Sequence, residues 1–260
     1  MLNFLLQCGG SLEMEALMLK EQLKSDKFLF SFKEITIEQL KRDSLDENII
    51  PVGDIDFVST YMKKIYGIIN EEPIEIPKYL RTDEFLKRDY KICTWDNIPK
   101  SGCFFLKDIS QLKKISIIIN AAYMNIDDMF NYVPETEFDN TIVLDKTHLF
   151  QVSSIVPIIA EYRVYVLDDT IKQMSCYAGN CTKFPDIRLI NKAVNLINYH
   201  EKYLRSYTLD VAVTNAGTCI LEVHNFTSVG LYSTQWDSDL PYAYRDGIDY
   251  LIYDNHKLEL

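Results

Sequence analysis

Short apolar runs alternate with amphipathic stretches along the first quarter of the chain. MLNFLLQ reads as an opening strand that ends in a turn at Cys8, Gly9 and Gly10. SLEMEALMLKEQLK carries apolar residues at helical spacing, and Ser11 with Glu13 and Glu15 close behind it reads as a capping box. FLFSFKEI predicts a second strand and TIEQLKRD a short helix. NIIPVGDIDFVSTYMKKIYG predicts a strand, a turn at Gly53 and another helix. This order implies a small α/β lobe over residues 1–75. EEPIEIPKYLR, with two prolines, reads as a connector. After EFLKRDYKICTWDNIP come a strand at SGCFFLKDI, the run QLKKISIIINAAYM and a strand at TIVLDK.

From His148 onward the pattern is strand-rich, through LFQVSSIVPIIAEYRVYVLDDTIKQMSCYAG. The periodic stretch PDIRLINKAVNLINYHEKYL predicts a helix. YTLDVAVTN and TCILEVHNF then flank Asn215-Ala216-Gly217, a hairpin signal with apolar alternation on both sides. YAYRDGIDYLIYDN predicts a C-terminal helix, and no internal repeat or low-complexity segment interrupts the chain.

At 260 residues, 47% hydrophobic and 25% charged, the composition is that of a globular protein of one large domain or a few small lobes. A net charge of −11 argues against bulk nucleic acid as a partner, since phosphate contacts need clustered Lys and Arg. The six cysteines are scattered without a C-x-x-C pair and read as buried free thiols of a reducing compartment. MLNFLLQCGG is too short for a signal-peptide core, and no run is long and apolar enough for a membrane helix. The expectation is a cytoplasmic protein, in the host cytoplasm if phage-encoded, with no membrane partner. Trp95 and Trp236 read as packing residues, and His148 and His200 as surface or loop residues with no partner to form a triad.

Three patterns carry chemistry. Asp210 interrupts one strand of the hairpin and Glu222 the other, at equal distances from Ala216, so the two carboxylates are expected to face each other. Facing carboxylates repel, and a divalent cation between them removes that penalty; oxygen ligands suit Mg²⁺. His224 or Asn225 could add a further ligand. The bland alternative has one carboxylate in solvent and the other capping a loop. Glu161 and Arg163 alternate with Tyr162 and Val164 in IIAEYRVYVLDD, so both charges share one strand face. A guanidinium there can take a phosphate bidentately, or form a cross-strand ion pair. Lys107, at the end of the apolar strand GCFFLKDI, either reaches a phosphate or snorkels to the surface.

Taken in order, Lys on a strand, Glu-x-Arg on a strand, Asp on a strand and Glu-x-His-Asn on its hairpin partner resemble the ATP-grasp superfamily. The resemblance is to a divergent branch frequent in phages and bacteria. It is carried by CFFLKD, VSSIVPIIAEYRVYV, YTLDVAVT and ILEVHNFTSVGLYS, and it covers roughly residues 75 to 250. It implies an α+β fold in which two α+β lobes, 76–148 and 149–260, sandwich ATP behind the small N-terminal lobe. It implies that Lys107 contacts the ATP phosphates or adenine, with Arg88 and Lys114 assisting. Gln151, Val152, Ser153, Ser154 and Ile155 would form a hinge whose backbone reads adenine. Glu161 would sit near the hinge or ribose, and Arg163 near the phosphates or an acyl-phosphate. Asp210 and Glu222 would hold Mg²⁺, with His224 where the family usually carries Asn, and Asn225 beside it. Imidazole favours softer metals such as Mn²⁺.

A second departure lies between Lys107 and Glu161, where the segment from Lys114 to Thr141 contains no glycine to build a phosphate-covering loop; Lys113 or Lys114 would have to serve. The activity implied is an ATP-dependent ligase that joins a carboxylate to an amine on a protein, peptide or small molecule through an acyl-phosphate. A nucleotide-binding assembly protein without turnover and a phosphotransferase stay open beside it.

Overall fold

The computed structural model describes residues 1–69, 75–109, 115–124, 148–233, 236 and 238–257. The predicted strand TIVLDK, Lys113 and Lys114 lie outside the described residues. Among the described residues the backbone forms three sheets.

The first sheet is parallel, in the order β2-β1-β3, from β1 (Leu2–Gln7), β2 (Phe30–Ile35) and β3 (Ile49–Val52). Phe4, Leu5 and Leu6 of β1 are all buried, because a central parallel strand is covered on both faces. Helices α1 (Glu13–Ser25) and α2 (Ile37–Arg42) make the crossovers, and α3 (Ile55–Tyr66) follows β3. The expected capping box at Ser11 does not form, and α1 begins without a side-chain cap. Its acidic residues stand two and four positions after Ser11, whereas the box needs Glu or Gln at three. Thr36 and Gln39 have that spacing and make a reciprocal box at α2. Asp54 caps α3 by accepting from the Phe57 N–H at 3.0 Å, and Gly67 ends that helix at φ +69°.

The second sheet is antiparallel, in the order β4-β7-β5-β6. Its strands are β4 (Tyr90–Thr94), β5 (Cys103–Asp108), β6 (Ser116–Asn120) and β7 (Leu149–Ser153), preceded by the short helix α4 (Asp83–Leu86). One face buries Phe104, Leu106, Ile119, Phe150 and Val152 against Trp95 and Ile98. The alternate residues Phe105, Lys107, Gln151 and Ser153 therefore point the other way.

The third sheet, also antiparallel, has the order β11-β10-β8-β9. It consists of β8 (Ile158–Leu167), β9 (Thr170–Gly179), β10 (Tyr207–Thr214) and β11 (Gly217–Asn225). Val164, Val166, Leu209, Val211 and Ile220 on one face pack against Ile190, Ala193, Val194 and Ile197 of α5 (Ile187–His200). On the other face Tyr165 and Leu167 join the core of the first sheet, together with Phe226 and with Leu240, Ala243 and Tyr244 of α6 (Leu240–Lys257). Trp95 is buried, and Trp236 packs edge-on against Tyr165 at 4.6 Å, so both tryptophans pack as expected. No described helix is long and apolar enough to cross a membrane.

Two further expectations need correction. Of the six free cysteines only Cys219 is buried, while Cys103 and Cys181 are exposed. Cys103 precedes an apolar run but lies at the strand end, on the side away from the core. His148 does have a partner: its Nε2 lies 2.8 Å from Oδ1 of the fully buried Asp108.

Candidate active site

The free faces of the second and third sheets enclose a cleft of about 800 Å³. Strand alternation decides which side chains reach it. From the second sheet come Phe105 and Lys107 of β5, Ser116 and Ile118 of β6, and Gln151 and Ser153 of β7. From the third come Glu161 of β8, Tyr177 of β9, Asp210 of β10, and Cys219, Leu221 and Glu222 of β11.

The hairpin register pairs Asp210 with Glu222, as their placement about the turn suggests, but by a different route. The turn is centred one half-residue earlier than expected, since Thr214 pairs with Gly217, so an unbroken ladder would set Asp210 opposite Leu221. A β-bulge shifts the register between Asp210 and Val211 and leaves Leu221 without a partner position. The bulge thus brings the two carboxylates level. Asp210 is also level with Arg163 on its other side, and all three side chains share one face.

Each carboxylate meets a cation. Arg163 donates from Nε and Nη2 to the two oxygens of Asp210 at 2.8 and 2.7 Å, a bidentate pair. Lys107 Nζ lies 2.8 Å from Glu222 Oε2, joining the second sheet to the third across the cleft. Arg163 is 17% and Asp210 10% exposed, Lys107 14% and Glu222 17%. Burial opposes the Arg163 charge, but the Asp210 hydrogen bonds and charge outweigh it and hold its pKa above the ordinary value.

Two tyrosines flank Arg163. Its guanidinium lies 5.8 Å from the Tyr177 ring and 5.0 Å from the Tyr232 ring, and the two rings stack at 4.9 Å. Tyr177 also donates to Glu161 at 2.7 Å. Burial, the charge of Asp210 and the bond to Glu161 all push the Tyr177 phenol upward. Tyr232 is placed by its neighbours: Tyr165 donates to the Gly230 carbonyl at 3.0 Å and accepts from the Tyr232 N–H at 2.8 Å. Arg163 Nη1 donates to the same carbonyl at 3.2 Å, and Glu15 of α1 accepts from the Leu231 N–H at 3.1 Å.

The other expected site residues divide. Ser153, Ser154 and Ile155 line the cleft, and Ser154 is tied to Asp89 by backbone and hydroxyl bonds of 3.1 and 2.9 Å. Val152 turns its side chain into the second sheet's core and is not part of the cleft wall. Arg88 lines the cleft while donating to the carbonyls of Leu86 and Ile220 at 3.0 and 2.9 Å, and burial lowers its pKa. His224 and Asn225 follow Glu222 on β11 but are not part of the cleft wall. His224 Nδ1 lies 2.8 Å from the Asn225 carbonyl, and Asn225 Oδ1 accepts from Thr227 at 2.8 Å. Among the described residues no three His, Cys, Asp or Glu side chains converge as metal ligands do.

Sequence reading missed Tyr177, Tyr165 and Tyr232. Tyr177 falls on the cleft face because a bulge in β9 at Lys172, between the pairs Val166–Ile171 and Tyr165–Gln173, sets Arg163 opposite Ser175, and no residue pattern announces it.

Residues 85–239 match the model of a family described as an ATP-grasp domain, the second family of its clade. No curated protein matches the chain by sequence. Among solved structures the chain is similar to D-alanyl-alanine synthetase A from Vibrio cholerae, with a TM-score of 0.57 and 13% identity over 96% of this chain and 98% of that one. It is similar to D-alanine–D-alanine ligase from Bacillus anthracis complexed with ATP, with a TM-score of 0.55 and 12% identity over 98% and 96%. It is also similar to the ATP-grasp ligase PsnB complexed with minimal precursor, with a TM-score of 0.56 and 10% identity over 96% and 98%. At these identities the likeness is one of fold.

Proposed function

The chain belongs to this family of ATP-grasp domains, and on that premise we propose that it is an ATP-dependent carboxylate–amine ligase. The observation that carries the reading is the cleft itself: Lys107 and Arg163, two cations on rigid strands, stand beside two carboxylates level with each other on paired strands. Nucleotide enters with its adenine toward Ser153, Ser154 and Ile155 and its phosphates toward Lys107 and Arg163. Arg88 assists from the cleft wall, Lys114 is assigned the same role, and Glu161 lies on the ribose side. The solved relatives are ligases, one complexed with ATP and one with a precursor, which supports this choice.

Asp210 and Glu222 fit a hard divalent cation, being oxygen donors at adjacent register positions, whereas Asn225, level with Tyr207, falls on the opposite face of β11. Asp210 and Glu222, with His224 two residues on along the same face of β11, would hold Mg²⁺ or Mn²⁺, which neutralises phosphate charge when bound. The chain's own contribution is electrostatic. A substrate carboxylate attacks the γ-phosphorus as its bond to the β–γ bridging oxygen breaks and ADP leaves, and negative charge gathers on the transferring group; Lys107 and Arg163 offset it from fixed positions. An amine then displaces phosphate from the acyl-phosphate. Tyr177 and Tyr232 hold the Arg163 guanidinium beside their rings, so little reorganisation is needed as charge develops. Removing one such cation is expected to lower kcat by about 10²–10³.

The test is stabilisation by Mg-ATP, read as a thermal shift, in the native chain and in Asp210→Ala with Glu222→Ala. The native chain should be stabilised and the double variant should not. ADP release that depends on an amine acceptor, with phosphate absent from the product by mass spectrometry, marks a ligase. A phosphorylated product overturns that assignment, and a native chain indifferent to Mg-ATP overturns the whole reading.

A further inference from the structure

Tyr177 enters the cleft with its hydroxyl as well as its ring. The hydroxyl donates to Glu161 Oε2 at 2.7 Å, while the ring stacks on Tyr232 at 4.9 Å and stands 5.8 Å from the Arg163 guanidinium. We propose that Tyr177 and Glu161 together form a clamp for the two vicinal hydroxyls of a nucleotide's ribose. Tyr177 thereby makes the cleft selective for ribonucleotides over deoxynucleotides. The inference rests on the ligase reading, which brings a nucleoside triphosphate into this cleft.

The polarity of the cleft walls decides where a sugar lies. On β5 the order is Phe105, then Lys107; on β8 it is Ile158, Glu161, then Arg163 at Asp210. The chain crosses from Ser153 to Ile158 between the two sheets and joins their apolar ends, while the Lys107–Glu222 bond joins their charged ends. Base, sugar and phosphate follow the same order in a nucleotide. Glu161 stands two residues, or about 7 Å along the strand, from Arg163 and is therefore level with the sugar. Both oxygens of the Tyr177–Glu161 bond can accept again, because a phenol oxygen accepts as well as donates and a carboxylate oxygen has two lone pairs. At 2.7 Å apart they match the spacing of the cis hydroxyls of ribose, each of which donates one proton. Burial, the charge of Asp210 and the bond to Glu161 raise the Tyr177 phenol, so it keeps its proton and stays a donor to Glu161. The stack on Tyr232 fixes the plane of the ring and with it the position of the hydroxyl.

The test is calorimetric affinity for ATP, 2′-deoxy-ATP and 3′-deoxy-ATP, each with Mg²⁺. Native protein should bind both deoxynucleotides more weakly than ATP. The loss should be about ten- to a hundredfold for the hydroxyl that meets the Glu161 charge and about two- to tenfold for the one that meets Tyr177. Tyr177→Phe keeps the ring and its stack but removes the oxygen. In this variant the smaller ratio should fall to about one, while the larger stays well above one. Glu161→Gln puts a neutral acceptor of the same shape in place of the charged one and should bring the larger ratio down to about two- to tenfold. It keeps the clamp testable should Tyr177→Phe fail to fold. Native protein that binds ATP but binds either deoxynucleotide equally well overturns the clamp, as do two ratios unchanged in Tyr177→Phe; the ligase reading then stands. Native protein that binds neither ATP nor its analogues overturns the ligase reading itself.

Discussion

Tyr165→Phe removes a single oxygen and tests how the loop over Arg163 is held. The ring of Tyr165 is fully buried and packs edge-on against Trp236 at 4.6 Å, so the aromatic core keeps its shape in the variant. What is lost is a hydroxyl that donates to the Gly230 carbonyl at 3.0 Å and accepts from the Tyr232 N–H at 2.8 Å. The Gly230 carbonyl retains the Arg163 donor at 3.2 Å, which softens the first loss. Tyr232 is half-exposed, so water replaces part of the second. Two net hydrogen bonds of about 0.5–1.5 kcal/mol each, discounted for these replacements, come to roughly 1–2 kcal/mol. For a chain of this size that lowers Tm by roughly 2–8 °C. Because the lobes need not unfold in one step, the sharper assay is hydrogen exchange at single residues. The Tyr232 amide should exchange about five- to thirtyfold faster in the variant, while amides of β10 and β11 keep their protection. Unchanged exchange at Tyr232 refutes the clip, and loss of protection throughout the third sheet shows a core defect instead.

Gly247→Ala sets two effects against each other: alanine favours helix by about 1 kcal/mol, but a Cβ at this site overlaps the backbone of Phe226. Overpacking at about 1–3 kcal/mol should win, and a melting temperature above the native value refutes the close approach. Asp108→Ala should destabilise by about 1–3 kcal/mol and more than His148→Ala, because Asp108 is fully buried while His148 is 30% exposed and accessible to water; equal losses in urea titration refute the asymmetry. Burial pushes Tyr165 from 10.0 up to about 12 and also raises Tyr61, Tyr79, Tyr207 and Tyr244. The folded chain holds these protons more tightly than the unfolded one, so the stability they contribute is whole below about pH 10 and is lost as pH climbs through about 12. Tyrosinate absorbance should therefore rise in two stages, the second coinciding with loss of circular dichroism. A single step for all 17 tyrosines with the fold intact refutes it.

The parts of this molecule that sequence shows are those governed by periodicity. Alternation of apolar and polar positions placed β5, β8, β10 and β11, and with them the faces that carry Lys107, Arg163, Asp210 and Glu222. Periodicity breaks down where the ladder does. The bulges at Leu221 and Lys172 each add one residue, and a one-residue shift changes which side chain faces the cleft. The level position of Asp210 and Glu222 thus depends on two offsets that cancel, a turn centred early and a bulge after it. The partners of these residues were equally hidden. Facing carboxylates in a sequence invite a metal, but in the folded chain the same repulsion is relieved by Arg163 on the neighbouring strand and by Lys107 on another sheet. Lys107 and Glu222 are 115 residues apart, a separation at which only topology decides contact.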